Sequence, residues 1–126
     1  ISKNAILVRL PYIRKNLNHL KGIHACALAT LCELTTGLLI ISLIDPAKYR
    51  IIMKKIEVDY SYQAKMDVIA EFKLEDSKIE EMITSLQSDA LEYKARILVK
   101  DSEDTIICEA CIHWHIKSWD QVKTKV

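Results

Sequence analysis

Residues 25–44 read ACALATLCELTTGLLIISLI, and this stretch decides the fold. Its one charged residue is Glu33; the others are apolar or small. Asp45 and Pro46 stop the run, a turn former followed by a residue that cannot continue a helix. A segment of this length and composition could cross a membrane as a helix. Two features argue otherwise. A carboxylate near the middle of a bilayer is costly, and the rest of the chain reads as amphipathic strands that need a packed partner. A helix apolar on every side is then a central helix buried by a sheet, and no membrane span is expected.

The flanking sequence supplies that sheet. Residues 5–16 read as a strand with Ile6, Val8 and Leu10 on one face. Pro11 bends or interrupts it and favours an edge position. A polar loop follows over 16–22. Beyond the helix, 49–62 alternates, with Ile52, Ile56, Val58, Tyr60 and Tyr62 facing in and Lys55, Glu57, Asp59 and Ser61 facing out. Lys54 breaks the inner pattern, which places it near an end or at the site. Residues 67–74 form a strand through Val68, Ala70, Phe72 and Leu74. Residues 75–86 form a short polar helix striped by Ile79, Met82, Ile83 and Leu86. Two more strands follow over 91–100 and 105–117, the second through Ile106, Cys108, Ala110, Ile112, Trp114 and Ile116. A hairpin turn at 101–104 joins them. The predicted class is α+β: an antiparallel sheet of about five long strands wrapped around one long central helix, as a single domain over residues 1–126.

Composition agrees with that reading. Half of the 126 residues are hydrophobic, with only 2 Gly and 2 Pro, so there is core and little linker. A net charge of +1 points neither to disorder nor to a nucleic-acid partner. Cys26, Cys32, Cys108 and Cys111 read as reduced, mostly buried thiols. With no visible signal peptide in a chain that starts at Ile1, the expected location is the cytoplasm. Cys108 and Cys111 form a C-x-x-C, but positions three apart on a strand face opposite sides. Cys111, His113 and His115 share a face and could hold a metal, yet a fourth ligand is missing. No metal or cofactor is expected.

The loop and helix start read Asn18-His19-Leu20-Lys21-Gly22-Ile23-His24-Ala25-Cys26, and Glu33 follows nine residues after His24. This stretch resembles the hotdog-fold thioesterases of the phenylacetate-pathway and 4-hydroxybenzoyl-CoA type. In those, an Asn or Gln precedes by six residues a His that opens the central helix, and an Asp or Glu follows nine residues later. Asn18, His24 and Glu33 match that spacing, and the element order matches over nearly the whole chain. A closer likeness is to a hotdog subgroup of unassigned function whose helix also begins His-Ala rather than His-Gly-Gly. The resemblance implies hydrolysis of an acyl-CoA or other acyl thioester by a homodimer or a dimer of dimers, with sites shared between subunits. The family's glycine amide that meets the thioester oxygen corresponds to Ala25. The Ala25 methyl and the Cys26 side chain narrow that approach.

The residues support the same chemistry independently. Thioester hydrolysis needs a carboxylate to activate water or to attack, and donors for the oxyanion. A helix N-terminus offers such donors, here at Ala25 and Cys26, and Glu33 is the only ionisable carboxyl in the helix. Ala25 and Glu33 lie about 12 Å apart along one helix, so one reacting carbonyl meets both only if they come from different chains. Catalytic candidates are therefore Glu33, His24, Asn18 and Ala25. Substrate-binding candidates are Thr36, one turn below Glu33, with Gly22, Lys54, Tyr60 and Lys65. Lys48, Arg50 and Lys55 are further basic candidates for coenzyme A phosphates, and Leu28, Leu31, Ile52 and Met53 for an apolar pocket. Two other functions remain open at this stage: a non-catalytic acyl or acyl-CoA binding protein, and a hotdog dehydratase, whose His and carboxylate sit on a different motif.

Overall fold

The computed structural model describes residues 4–122; the ends of the expected domain, 1–3 and 123–126, lie outside them. The elements follow the order β1 (Ala5–Leu10), α1 (Ala25–Leu43), β2 (Tyr49–Tyr60), β3 (Val68–Lys73), α2 (Asp76–Leu86), β4 (Leu91–Asp101) and β5 (Ile106–Ser118). The five strands form one sheet in the order β1-β3-β4-β5-β2. Every pairing is antiparallel. α1 lies across the sheet and touches all five strands, the hotdog arrangement.

Alternation explains the packing. Phe72, Ala95, Ile97, Val99, Ala110, Ile112, Trp114 and Ile116 point inward and are buried with Leu28, Leu31, Leu39 and Ile40 of α1. Burying one such aliphatic or aromatic side chain contributes roughly 1.5–3 kcal/mol, so this layer is the main source of stability. α1 is long and apolar enough to cross a membrane; here its sheet-facing side is core. Its opposite side leaves Leu34, Leu38 and Ile41 exposed.

Five expectations need correction. Tyr62, expected to face inward, lies beyond the end of β2 and is exposed. The first strand stops at Leu10 rather than running to 16, because Pro11 leaves the sheet and a 3-10 turn occupies Arg14–Asn16. Ile52 does not face inward. A bulge between Met53 and Lys55 takes up Lys54 as an extra residue, so the inward set is Tyr49, Ile51 and Met53 before it and Ile56 and Val58 after it. Ile52 falls on the outer face, 43% exposed. The same shift occurs at the start of β5. There Val99 pairs with Cys108 but Lys100 with Ile106, so Ile107 is buried and Ile106 is exposed. On α2, Met82 and Leu86 are buried but Ile83 is exposed.

Candidate active site at the start of the central helix

The loop before α1 is held from several directions. The Asn18 side-chain oxygen accepts from the amides of Leu20 (2.9 Å) and Gly22 (3.1 Å), while its own amide donates to the Gly22 carbonyl (2.8 Å). Lys21 adopts a left-handed conformation with φ 60°, and its carbonyl accepts from the Tyr12 hydroxyl. The Lys65 ammonium donates to the Leu20 carbonyl. Gly22 lies close against Gln63: a Cβ there would come 1.8 Å from the Gln63 side-chain oxygen, so that flexible side chain would have to shift.

His24 is the N-cap of α1. Its Nδ1 accepts from the Cys26 amide at 3.2 Å, and its carbonyl accepts from Ala27 (3.0 Å) and Leu28 (3.1 Å). A helix leaves its first amides without intrahelical partners. Here the Ala25 amide has no hydrogen-bond partner among the described residues, whereas its neighbours do. The Tyr60 hydroxyl donates to the Ala25 carbonyl at 2.9 Å. Burial holds the Tyr60 phenol above its ordinary pKa.

Cavities open on both flanks of this helix start. One, of about 260 Å³, is lined by Asn18, Ile23, Ala25, Leu28 and Tyr60–Gln63. The other, of about 410 Å³, is mostly apolar, with Val8, Leu10, Ala27, Leu31 and Leu34 in its wall beside Arg9, Asn16 and Thr30. Glu33 lines neither. It is half-buried on α1, about two turns from Ala25.

The chain thus gathers Asn18, Gly22, His24, Ala25, Tyr60 and Lys65 at one end of α1. It does not bring Glu33, Thr36 or Lys54 there. Thr36 is fully buried. Its hydroxyl donates to the Cys32 carbonyl (3.0 Å) and accepts from the Trp114 indole N–H (2.9 Å), so it ties helix to sheet and cannot meet a substrate. Lys54 stands on the outer face of the sheet, paired with Glu92 at 3.1 Å. Lys55 is also on that face, paired with Glu57. Sequence reasoning missed Gln63 and Tyr12. Both lie outside any periodic or spaced pattern, and only the tertiary fold brings them to the loop.

The cysteines are free thiols. Cys32, hydrogen-bonded to Cys108 and buried, is pushed far above the ordinary thiol range, and both are core. Among the described residues, no group of three or more His, Cys, Asp or Glu side chains is arranged to hold a metal ion.

The fold is the hotdog fold of the thioesterase superfamily. A protein of unknown function from Pseudomonas aeruginosa, described as a probable thioesterase, superposes with a TM-score of 0.85 at 26% identity, over 91% of this chain and 77% of the other. A Staphylococcus aureus thioesterase does so with a TM-score of 0.72 at 17% identity, over 90% and 86%. A Streptococcus mutans protein bound to acetyl CoA gives 0.68 at 14% identity, over 91% and 82%. No curated protein matches the chain by sequence. The chain belongs to the family described as domain of unknown function (DUF4442), whose model matches residues 1–116.

Proposed function

We propose that the protein hydrolyses an acyl-CoA thioester at sites built by two copies of the chain. The observation that carries this reading is Ala25, which lines the Asn18–Tyr60 cavity and whose amide has no hydrogen-bond partner among the described residues. A free helix-start amide beside a cavity is a ready oxyanion donor. The Glu33 carboxylate takes a proton from water, and the hydroxide adds to the thioester carbonyl. The Ala25 N–H stabilises the oxygen as it becomes negative, and collapse expels the coenzyme A thiolate, which takes the proton back. Glu33 attacking the carbonyl directly, through an anhydride that water then cleaves, would use the same residues.

The separation of Ala25 and Glu33, about 12 Å along α1, supports two chains at each site. So does β2. It is a 12-residue strand at the edge of the sheet, and a long open edge is a natural pairing surface. A two-fold axis there would give two equivalent sites. The exposed Leu34, Leu38 and Ile41 favour cover by another copy. The acetyl CoA held by the Streptococcus mutans protein supports coenzyme A as the carrier. Lys65, already at the loop through the Leu20 carbonyl, is the best-placed candidate to meet a phosphate.

The test is thiol release from short, medium, long and aromatic acyl-CoAs, with Glu33→Gln alongside. Turnover that falls by about 10²–10⁴ in the variant, the range for loss of a general base, supports the assignment. Equal turnover rules Glu33 out. Thermal stabilisation by acyl-CoA without thiol release would instead favour the non-catalytic binding protein, with the Ala25 methyl and Cys26 as the obstruction to attack.

A further inference from the structure

A second constellation stands on the opposite side of the sheet. On β5, the Cys111 Sγ lies 3.9 Å from the Nε2 of His113. The His113 Nδ1 lies 3.2 Å from the Oε1 of Glu92 on β4, and its Nε2 lies 3.4 Å from the Oε1 of Glu57 on β2. The imidazole is well enclosed for an outer-face group, its side chain 11% exposed. The Glu92 carboxyl is held below its ordinary value, first by the hydrogen bond with His113. A cavity of about 270 Å³ reaches this cluster, with Cys111, His113, Arg96, Lys94 and Glu57 in its wall.

Nucleophile, base and orienting carboxylate in hydrogen-bond sequence are the arrangement that activates a thiol. We propose that Cys111 is a nucleophilic thiol that takes small disulfides by thiol–disulfide exchange at the outer face of the sheet. Glu92 fixes the proton on Nδ1, and Nε2 faces both the Cys111 thiol and the Glu57 carboxylate. His113 takes the Cys111 proton as Sγ attacks one sulfur of the disulfide. The disulfide S–S bond breaks as the new bond to Sγ forms. The leaving sulfur departs as a thiolate and receives the proton from His113. Glu57 accepts from the Nε2–H while the imidazole is charged. Arg96 on β4 and Glu57 on β2 stand opposite Cys111 in the two registers, and Lys94, Asp59 and Glu109 complete the charged wall around the sulfur. The pairing is three-stranded: the thiol and base come from β5, the two carboxylates from its neighbours on either side.

Cys26 is exposed and would also react, whereas Cys32 and Cys108 are buried. The experiment therefore uses the folded full chain carrying Cys26→Ser, an aromatic disulfide that releases a coloured thiolate, and peptide mapping of the label. One equivalent should attach, at Cys111, about tenfold or more faster than Cys26 reacts in the Cys111→Ser chain, as expected for an activated thiol. His113→Ala should lose that advantage and regain it with added imidazole, a rescue that a merely structural histidine would not show. Glu92→Gln should slow the reaction by a smaller factor. Denaturation should bring the thiols to a common rate. The proposal is overturned if Cys111 in the folded chain reacts no faster than Cys26, or if His113→Ala leaves its rate unchanged.

Discussion

Thr36 and Trp114 form a polar bond in the middle of the core, hydroxyl to indole N–H at 2.9 Å. Thr36→Val keeps the shape and strands the indole donor without a partner, which costs about 1–3 kcal/mol. Urea denaturation should show this as a lower midpoint at unchanged slope. Gly37 lies against the same ring: a Cβ would come 2.8 Å from the Trp114 six-membered ring. Gly37→Ala gains helix propensity of up to about 1 kcal/mol yet forces the indole to move. On the outer face, Glu92 gives a pH prediction with a definite sign. Its folded pKa is depressed below 4.5 by His113 and then Lys54, so it contributes stability above that value. The contribution is lost as pH falls through the folded value. The stability gap between the parent and Glu92→Gln should therefore narrow below about pH 4.5 in acid titrations followed by circular dichroism. None of this was readable from sequence at the level of single residues. Thr36 looked like a site residue because it follows Glu33 by almost one turn; its partner Trp114 is 78 positions away.

The elements were legible because period-two alternation and an all-apolar helix leave few ways to pack. The bulges were not. A single extra residue changes which face every later side chain takes, and its only sequence mark in β2 is Lys54 standing where an inward residue was expected. The structure explains that mark: Met53 pairs with Trp114 and Lys55 with His113, leaving Lys54 over. Deleting Lys54 should therefore regularise the strand without turning either half over. The expected loss is about 1 kcal/mol or less, the worth of its surface pair with Glu92. Deleting Val58 instead would reverse the faces of Asp59 and Tyr60 and remove the Tyr60 bond to Ala25. Thermal melts of the two deletions should separate clearly. The helix-start loop was half legible. Asn18, Gly22 and His24 follow from turn and cap chemistry, while the supports from Tyr12, Gln63 and Lys65 depend on tertiary contacts.

At the scale of the whole molecule, the shared-site reading predicts complementation. Glu33→Gln removes one half of a site and Asn18→Ala, by leaving the Leu20 and Gly22 amides without the Asn18 oxygen, disturbs the other. Mixed after co-refolding, two such inactive chains should restore about one quarter of the parent's sites, because half the dimers are mixed and each carries one intact site. No recovery would place the whole reaction within one chain. The strand order carries a further consequence for synthesis. β1 must wait for β3 (Ala5 pairs with Lys73), and β2 must wait for β5 (Tyr49 pairs with Ser118). Strands β4 and β5 leave the ribosome after the other elements of this sheet. Throughout that interval α1, apolar enough to cross a bilayer, is outside the ribosome without the sheet that covers it. The nascent chain therefore resembles a client of membrane-targeting and chaperone systems until β5 is made, and its yield in cells should depend on holdase capacity more than its final stability suggests.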